Sequence, residues 1–204
     1  MFRTAFLDLL FNTLLVFVVL FALALMQVRK PSQAEQAVEA KAEYVIEMSW
    51  PEGSLDDVDL WMLLPDGQKV GFRNKDTGVA TLDRDDLGAR NDVYWNGQER
   101  KLVRLNREVI AVRGILPGRY VVNAHYYSRS SEASTGFADE WKRPDIPVKV
   151  KLTRLNPRVQ EVGSCEVTLF GVGQQVTAFA FDVGAKGDTT LDSDADLPFV
   201  EFRP

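Results

Sequence analysis

Two sets of acidic residues stand where they could do chemistry. Asp57 and Asp59 alternate in DDVDLWMLLPDG, and Asp83 and Asp85, with Asp86 beside them, lie in TLDRDDLG. Alternate residues of an extended strand share a face, so each pair projects to one side, and neighbouring segments would bring four carboxylates together. Such a group repels itself unless a hard cation or several donors offset it, and Ca²⁺, which takes about six to eight oxygen ligands, suits it. The alternative is that each Asp caps a turn or accepts from a loop N–H. The second set is Asp8 and Asn12, four apart in an apolar run and so on one helix face, with Leu15, Val19 and Ala22 continuing the stripe. A carboxylate at the centre of a bilayer costs about 2.5–3.5 kcal/mol and therefore faces a partner, an aqueous path or a proton. Nearer the headgroups, the positive end of a helix dipole accommodates it instead.

Other residues narrow the chemistry further. Asp192, Asp194 and Asp196 imitate the start of an EF-hand loop, but Leu197 stands where that loop needs Gly and Arg203 where it needs Glu. His125 is the sole histidine, which excludes multi-histidine metal sites, and in the alternating RYVVNAHYYS it falls on the more polar face, where a surface position is expected. Cys165 is the sole cysteine, so no intramolecular disulfide forms. No nucleophile, base and oxyanion site occur together, and a non-enzymatic protein is expected. A net charge of −5 and a pI near 5.0 argue against nucleic-acid binding, which needs a basic face. Lys101, Arg104, Arg107 and Arg113 read as a solvated face, and Trp50, Trp61, Trp95 and Trp141 as core or rim packing.

The elements that must carry these residues follow from the hydropathy pattern. Ala5 to Val28 is almost unbroken apolar sequence and, at about 1.5 Å per residue, spans roughly 36 Å as a helix, enough to cross a bilayer. Residues 1–30 thus read as a transmembrane anchor. The rival reading is a cleaved signal peptide ending near Ala22-Leu23-Ala24, against which Asp8 stands where such a peptide carries positive charge. Arg3 on one side and Arg29 and Lys30 on the other nearly balance. The short leader before a large domain favours a cytoplasmic N-terminus, a bacterial inner-membrane location and a periplasmic domain. Residues 31–43, rich in Ala, Glu and Gln, read as a linker or short helical stalk. Residues 44–204 break into short β-like runs separated by turn residues, which predicts an antiparallel, Ig-like β-sandwich, an all-β domain tethered by one helix.

An Asp near the start of a lone transmembrane helix, followed by an apolar run and an envelope domain, resembles the MotB/TolR/ExbD class of single-pass subunits of ion-driven motors. The resemblance implies a dimer of such helices inside a multi-pass partner of the MotA/TolQ type, with Asp8 carrying the ion beside Asn12, and proton flow coupled to work in the envelope. The soluble part resembles secreted bacterial β-domains typified by YfaP, on DDVDLWMLLPDG, TLDRDDLG and PGRYVVNAHYY. It departs from them in carrying Trp61 where His is expected and in lacking Gly-Pro-Glu after the acidic segment. The alternative function is a membrane-tethered binding or adhesion domain that holds Ca²⁺ through Asp57, Asp59, Asp83, Asp85 and Asp86 and transports no ion.

Overall fold

The computed structural model describes residues 2–27, 41–136 and 138–201, and the chain divides into two units, 1–40 and 41–204. In the first unit, α1 (Phe2–Gln27) is a continuous helix whose residues 6–23 form a segment long and apolar enough to cross a membrane. Thr13 donates its hydroxyl to the Leu9 carbonyl at 2.8 Å, so even this polar side chain is satisfied within the helix. Most of the expected stalk, residues 31–40, lies outside the described residues.

The second unit is built almost wholly from strands: β1 (Tyr44–Ser49), β2 (Asp56–Leu63), β3 (Lys69–Val70), β4 (Ala80–Arg84), β5 (Val93–Asn96), β6 (Glu99–Leu102), β7 (Arg107–Val112), β8 (Gly118–Arg129), β9 (Ile146–Arg154), β10 (Gln160–Leu169), β11 (Gln175–Val183) and β12 (Thr189–Asp192). One antiparallel sheet runs β10-β9-β1-β7-β4 and the other β12-β11-β8-β2-β3, while β5 and β6 pair as a separate hairpin. Period-two patterning drives the assembly: Tyr44, Ile46 and Met48 of β1 and Ile146, Val148, Val150 and Leu152 of β9 point inward, with less buried residues between them. These residues join Leu60, Met62, Val122, Phe179 and Phe181 of the other sheet in one core. Tyr120 stacks on Phe181 at 4.7 Å between centroids, and its hydroxyl donates to the Leu116 carbonyl at 2.8 Å, which lets a polar tip lie at the core edge.

Regular pairing breaks at two places beside the acidic segments. The β2–β8 register shifts between Asp57 and Val58, and the β4–β7 register between Leu82 and Arg84. Such irregularities interrupt simple alternation and re-aim side chains. The segment after β12 crosses the outer face of the second sheet. The Asn123 side chain donates to the Leu197 carbonyl, the Gln175 side-chain oxygen accepts from the Phe199 and Val200 amides, and the Gln175 amide donates to the Val200 carbonyl. The expectation for His125 is corrected: the residue does lie on the outer face, yet it is only 2 % exposed, with Nδ1 3.1 Å from the buried Asp59 carboxylate.

Candidate cation site

Asp59 sits mid-way along β2, Asp85 follows β4, and Glu108 is the second residue of β7, so the two sheets and one connection each contribute a carboxylate. One oxygen from each lies within 4.8 Å of the others. Glu108 is fixed by the backbone: it accepts from the Leu60 amide at 2.6 Å and from the Asp86 amide at 3.2 Å. Asp59 faces His125 Nδ1 at 3.1 Å, and Asp85 meets the Lys75 ammonium at 2.6 Å. Asp57, 1 % exposed, has Ser128 Oγ as a distant donor at 3.4 Å to one oxygen, while its other oxygen is buried with no hydrogen-bond partner. One oxygen of Asp85 is likewise buried and unpartnered. Asp57, Asp59 and Asp85 line a cavity of about 300 Å³ whose basic residues are Lys75 and Arg90.

The electrostatics follow from this burial. Desolvation pushes the Asp57 carboxyl up to about 7, helped by the charges of Asp59 and Asp85 and opposed by Arg90. Burial also raises Asp59, against the lowering effect of His125, and raises Glu108 well above the usual carboxylate range despite its two backbone donors. The group therefore has two ways to be satisfied: it binds protons, or it binds a cation whose charge replaces them. Oxygen-only donors of this kind fit a hard ion such as Ca²⁺ and not a soft one.

The acidic residues singled out by the sequence are brought together only in part. Asp57, Asp59 and Asp85 converge. Asp83 does not: the irregularity after Leu82 leaves it outside, where it accepts from Thr81 and forms a bidentate pair with Arg113. Asp86 is buried, but its oxygens are engaged by the Gly88 and Arg107 amides and by Arg84, which makes it a loop former. That loop turns at Gly88, with φ of +58° and so little room that a Cβ would meet the Asp56 carbonyl at 2.8 Å. Asp8 and Asn12 lie on α1, in the other unit. Asp192 pairs with Arg119, Arg107 with Glu47, and Trp95 is 70 % exposed instead of packed.

Glu108 is the member of the triad that the sequence patterns above do not single out. Its signal was present: in REVIAV it shares the inward parity of Ile110 and Val112, so the alternation points a carboxylate at the core.

No family model matches the chain, and no curated protein matches it. Among solved structures, a homologue of the telluride resistance protein TerD from Streptomyces coelicolor is similar at 13 % identity with a TM-score of 0.43, over 79 % of this chain and 92 % of that one. A second, described as a protein of unknown function, is similar at 16 % identity with a TM-score of 0.40, over 77 % and 94 %.

Proposed function

We propose that the protein is a membrane-tethered binding module whose β-domain holds a divalent cation, of which Ca²⁺ is the best fit. The observation that carries this is the Asp59, Asp85 and Glu108 triad beside Asp57, a buried carboxylate with an unpartnered oxygen. A buried ionised carboxylate without donors or a counter-charge is costly, and a cation removes that cost. In this reading the two sheets are an Ig-like sandwich. The shared core and the Tyr120 hydroxyl bonded to a carbonyl four residues upstream support that, since a tyrosine corner has this form. The apolar α1 is its anchor in the bacterial inner membrane, with the domain on the periplasmic side, and the role is non-enzymatic. Titration calorimetry of the chelator-treated full-length protein with Ca²⁺ tests the reading. Saturable binding in the wild type that disappears in Asp85→Asn but persists in Asp83→Asn is the expected result, and heat indistinguishable from dilution in the wild type rejects it.

A second reading rests on a different observation, the carboxylate of Asp8 sharing a face of α1 with Asn12. Here α1 pairs with a second copy inside a multi-pass MotA/TolQ-like protein, and Asp8 carries the proton that drives it. The two readings are compatible, because a motor subunit also needs an envelope-binding domain.

A further inference from the structure

A second cavity of the β-domain, about 530 Å³, is lined by Trp61, Phe72 and Tyr127 on one hand and by Lys69, Arg73, His125 and Glu201 on the other. The aromatic part is a built surface. Trp61 and Phe72 meet edge to face at 5.4 Å and Phe72 and Tyr127 at 5.1 Å, so each ring holds the next in place. Gly71 lies against the Trp61 indole, where a Cβ would come within 2.5 Å of the ring, so the indole is pinned from behind. The volume lies in the range of sites that enclose small ligands.

The charge at this cavity is weighted towards cations, with Lys69 and Arg73 against the one carboxylate of Glu201 among its described lining residues. Elsewhere in the domain Arg107, Arg113, Arg119 and Arg129 each hold a carboxylate. Among the described residues no carboxylate lies within ion-pair distance of Lys69 or Arg73. Lys69 donates to the Phe199 carbonyl at 2.9 Å, and the Arg73 guanidinium lies 5.4 Å from the centre of the Phe72 ring. Lys69 therefore keeps two donors and Arg73 its fork, next to flat apolar walls. We infer that this cavity is a binding site for a small planar aromatic carboxylate, its ring against Trp61, Phe72 and Tyr127 and its carboxylate taken by Lys69 and Arg73. A guanidinium accepts a carboxylate bidentately, and a charge-assisted bond of this kind is about twice as strong as a neutral one. This site adjoins the cation site, with Phe72 and Tyr127 lining both cavities, but its ligand is held by different charged residues, Lys69 and Arg73.

The test uses full-length protein in lipid nanodiscs, with empty nanodiscs as the blank for partitioning, and compares 2-naphthoate with neutral 2-naphthamide by calorimetry in the presence of chelator. The expected result is saturable binding of 2-naphthoate, about tenfold tighter than 2-naphthamide. Arg73→Met changes an exposed side chain, so the fold is kept, and it should remove most of that advantage while leaving 2-naphthamide unchanged. Phe72→Ala should weaken both ligands. Absence of saturable 2-naphthoate binding overturns the inference, as does equal affinity for the two ligands or an advantage that survives Arg73→Met together with Lys69→Met. Because chelator is present throughout, failure here leaves the cation reading untouched, and failure of Ca²⁺ binding leaves this site untouched.

Discussion

His125 Nδ1 and Asp59 Oδ2 lie 3.1 Å apart, both almost fully buried, and this contact joins the aromatic cavity to the acidic cluster. Asp59 thereby has an oriented neighbour, and residues that orient a ligating carboxylate contribute about 10- to 100-fold to metal affinity. His125→Ala should accordingly lower Ca²⁺ affinity by at least about tenfold without abolishing binding. Unchanged affinity in calorimetry would leave His125 as packing only.

Calcium should also stabilise the folded protein. A ligand that binds only the native state at about a hundredfold excess over its Kd adds about 2.7 kcal/mol, or roughly 5–10 °C in Tm for a chain of this size. The difference between Ca²⁺ and chelator should vanish in Glu108→Gln and persist in Asp83→Asn, as followed by circular dichroism.

Without cation, stability should depend on pH in the sense opposite to that of a salt-bridged carboxylate. Asp57 ionises at 3.8 in its unperturbed state and is pushed up to about 7 in the fold. Between those values the folded protein holds a proton that the unfolded chain has released, so stability falls as pH rises through this window and levels off above it. Asp59, Asp86 and Glu108 shift in the same direction. Melting in chelator should therefore give a lower Tm near pH 7.5 than near pH 5, and saturating Ca²⁺ should remove that slope because the ion displaces the protons. A chelator profile that rises over this range would contradict the burial of these carboxyls.

In the core, Phe181 is fully buried and stacked on Tyr120, so Phe181→Ala should cost about 3–5 kcal/mol from lost transfer energy and the cavity left behind. Phe170 is 68 % exposed at the β10–β11 turn, and Phe170→Ala should stay within about 0.5 kcal/mol. Paired urea titrations would measure both.

Asp8 separates a motor subunit from a passive tether. Asp8→Asn keeps size and polarity but cannot change charge, so membrane level after alkaline carbonate washing should match wild type. Under the motor reading the host phenotype is lost while co-purification with a multi-pass partner is retained. Full retention of phenotype would assign the helix to anchoring alone.

Much of this protein is legible in the chain itself, because the properties concerned are local. A largely apolar run from Ala5 to Val28 can satisfy its backbone in lipid only as a helix, and α1 spans most of that run. The alternation in YVIEMS and IPVKVKLTR, interrupted only by Val45 and Pro147, needs only period two to define an inward face, and those strands bury Tyr44, Ile46, Met48, Ile146, Val148, Val150 and Leu152 on it. The acidic cluster is half legible. Asp57, Asp59 and Asp85 are local features of their segments, but whether they meet is decided by packing between β2, β4 and β7. There the irregularity after Leu82 turns Asp83 outward to Arg113, and the packing of the two sheets brings in Glu108 from another strand. His125 differs from its expected surface position for the same reason: its face is evident from alternation, but its burial depends on residues distant in sequence, such as Asp59 of β2, that meet it only in the fold. Periodicity specifies which side of a strand a residue takes, because the backbone pleat is local. What lies on that side is set by contacts between residues far apart in sequence, and only the tertiary structure decides those.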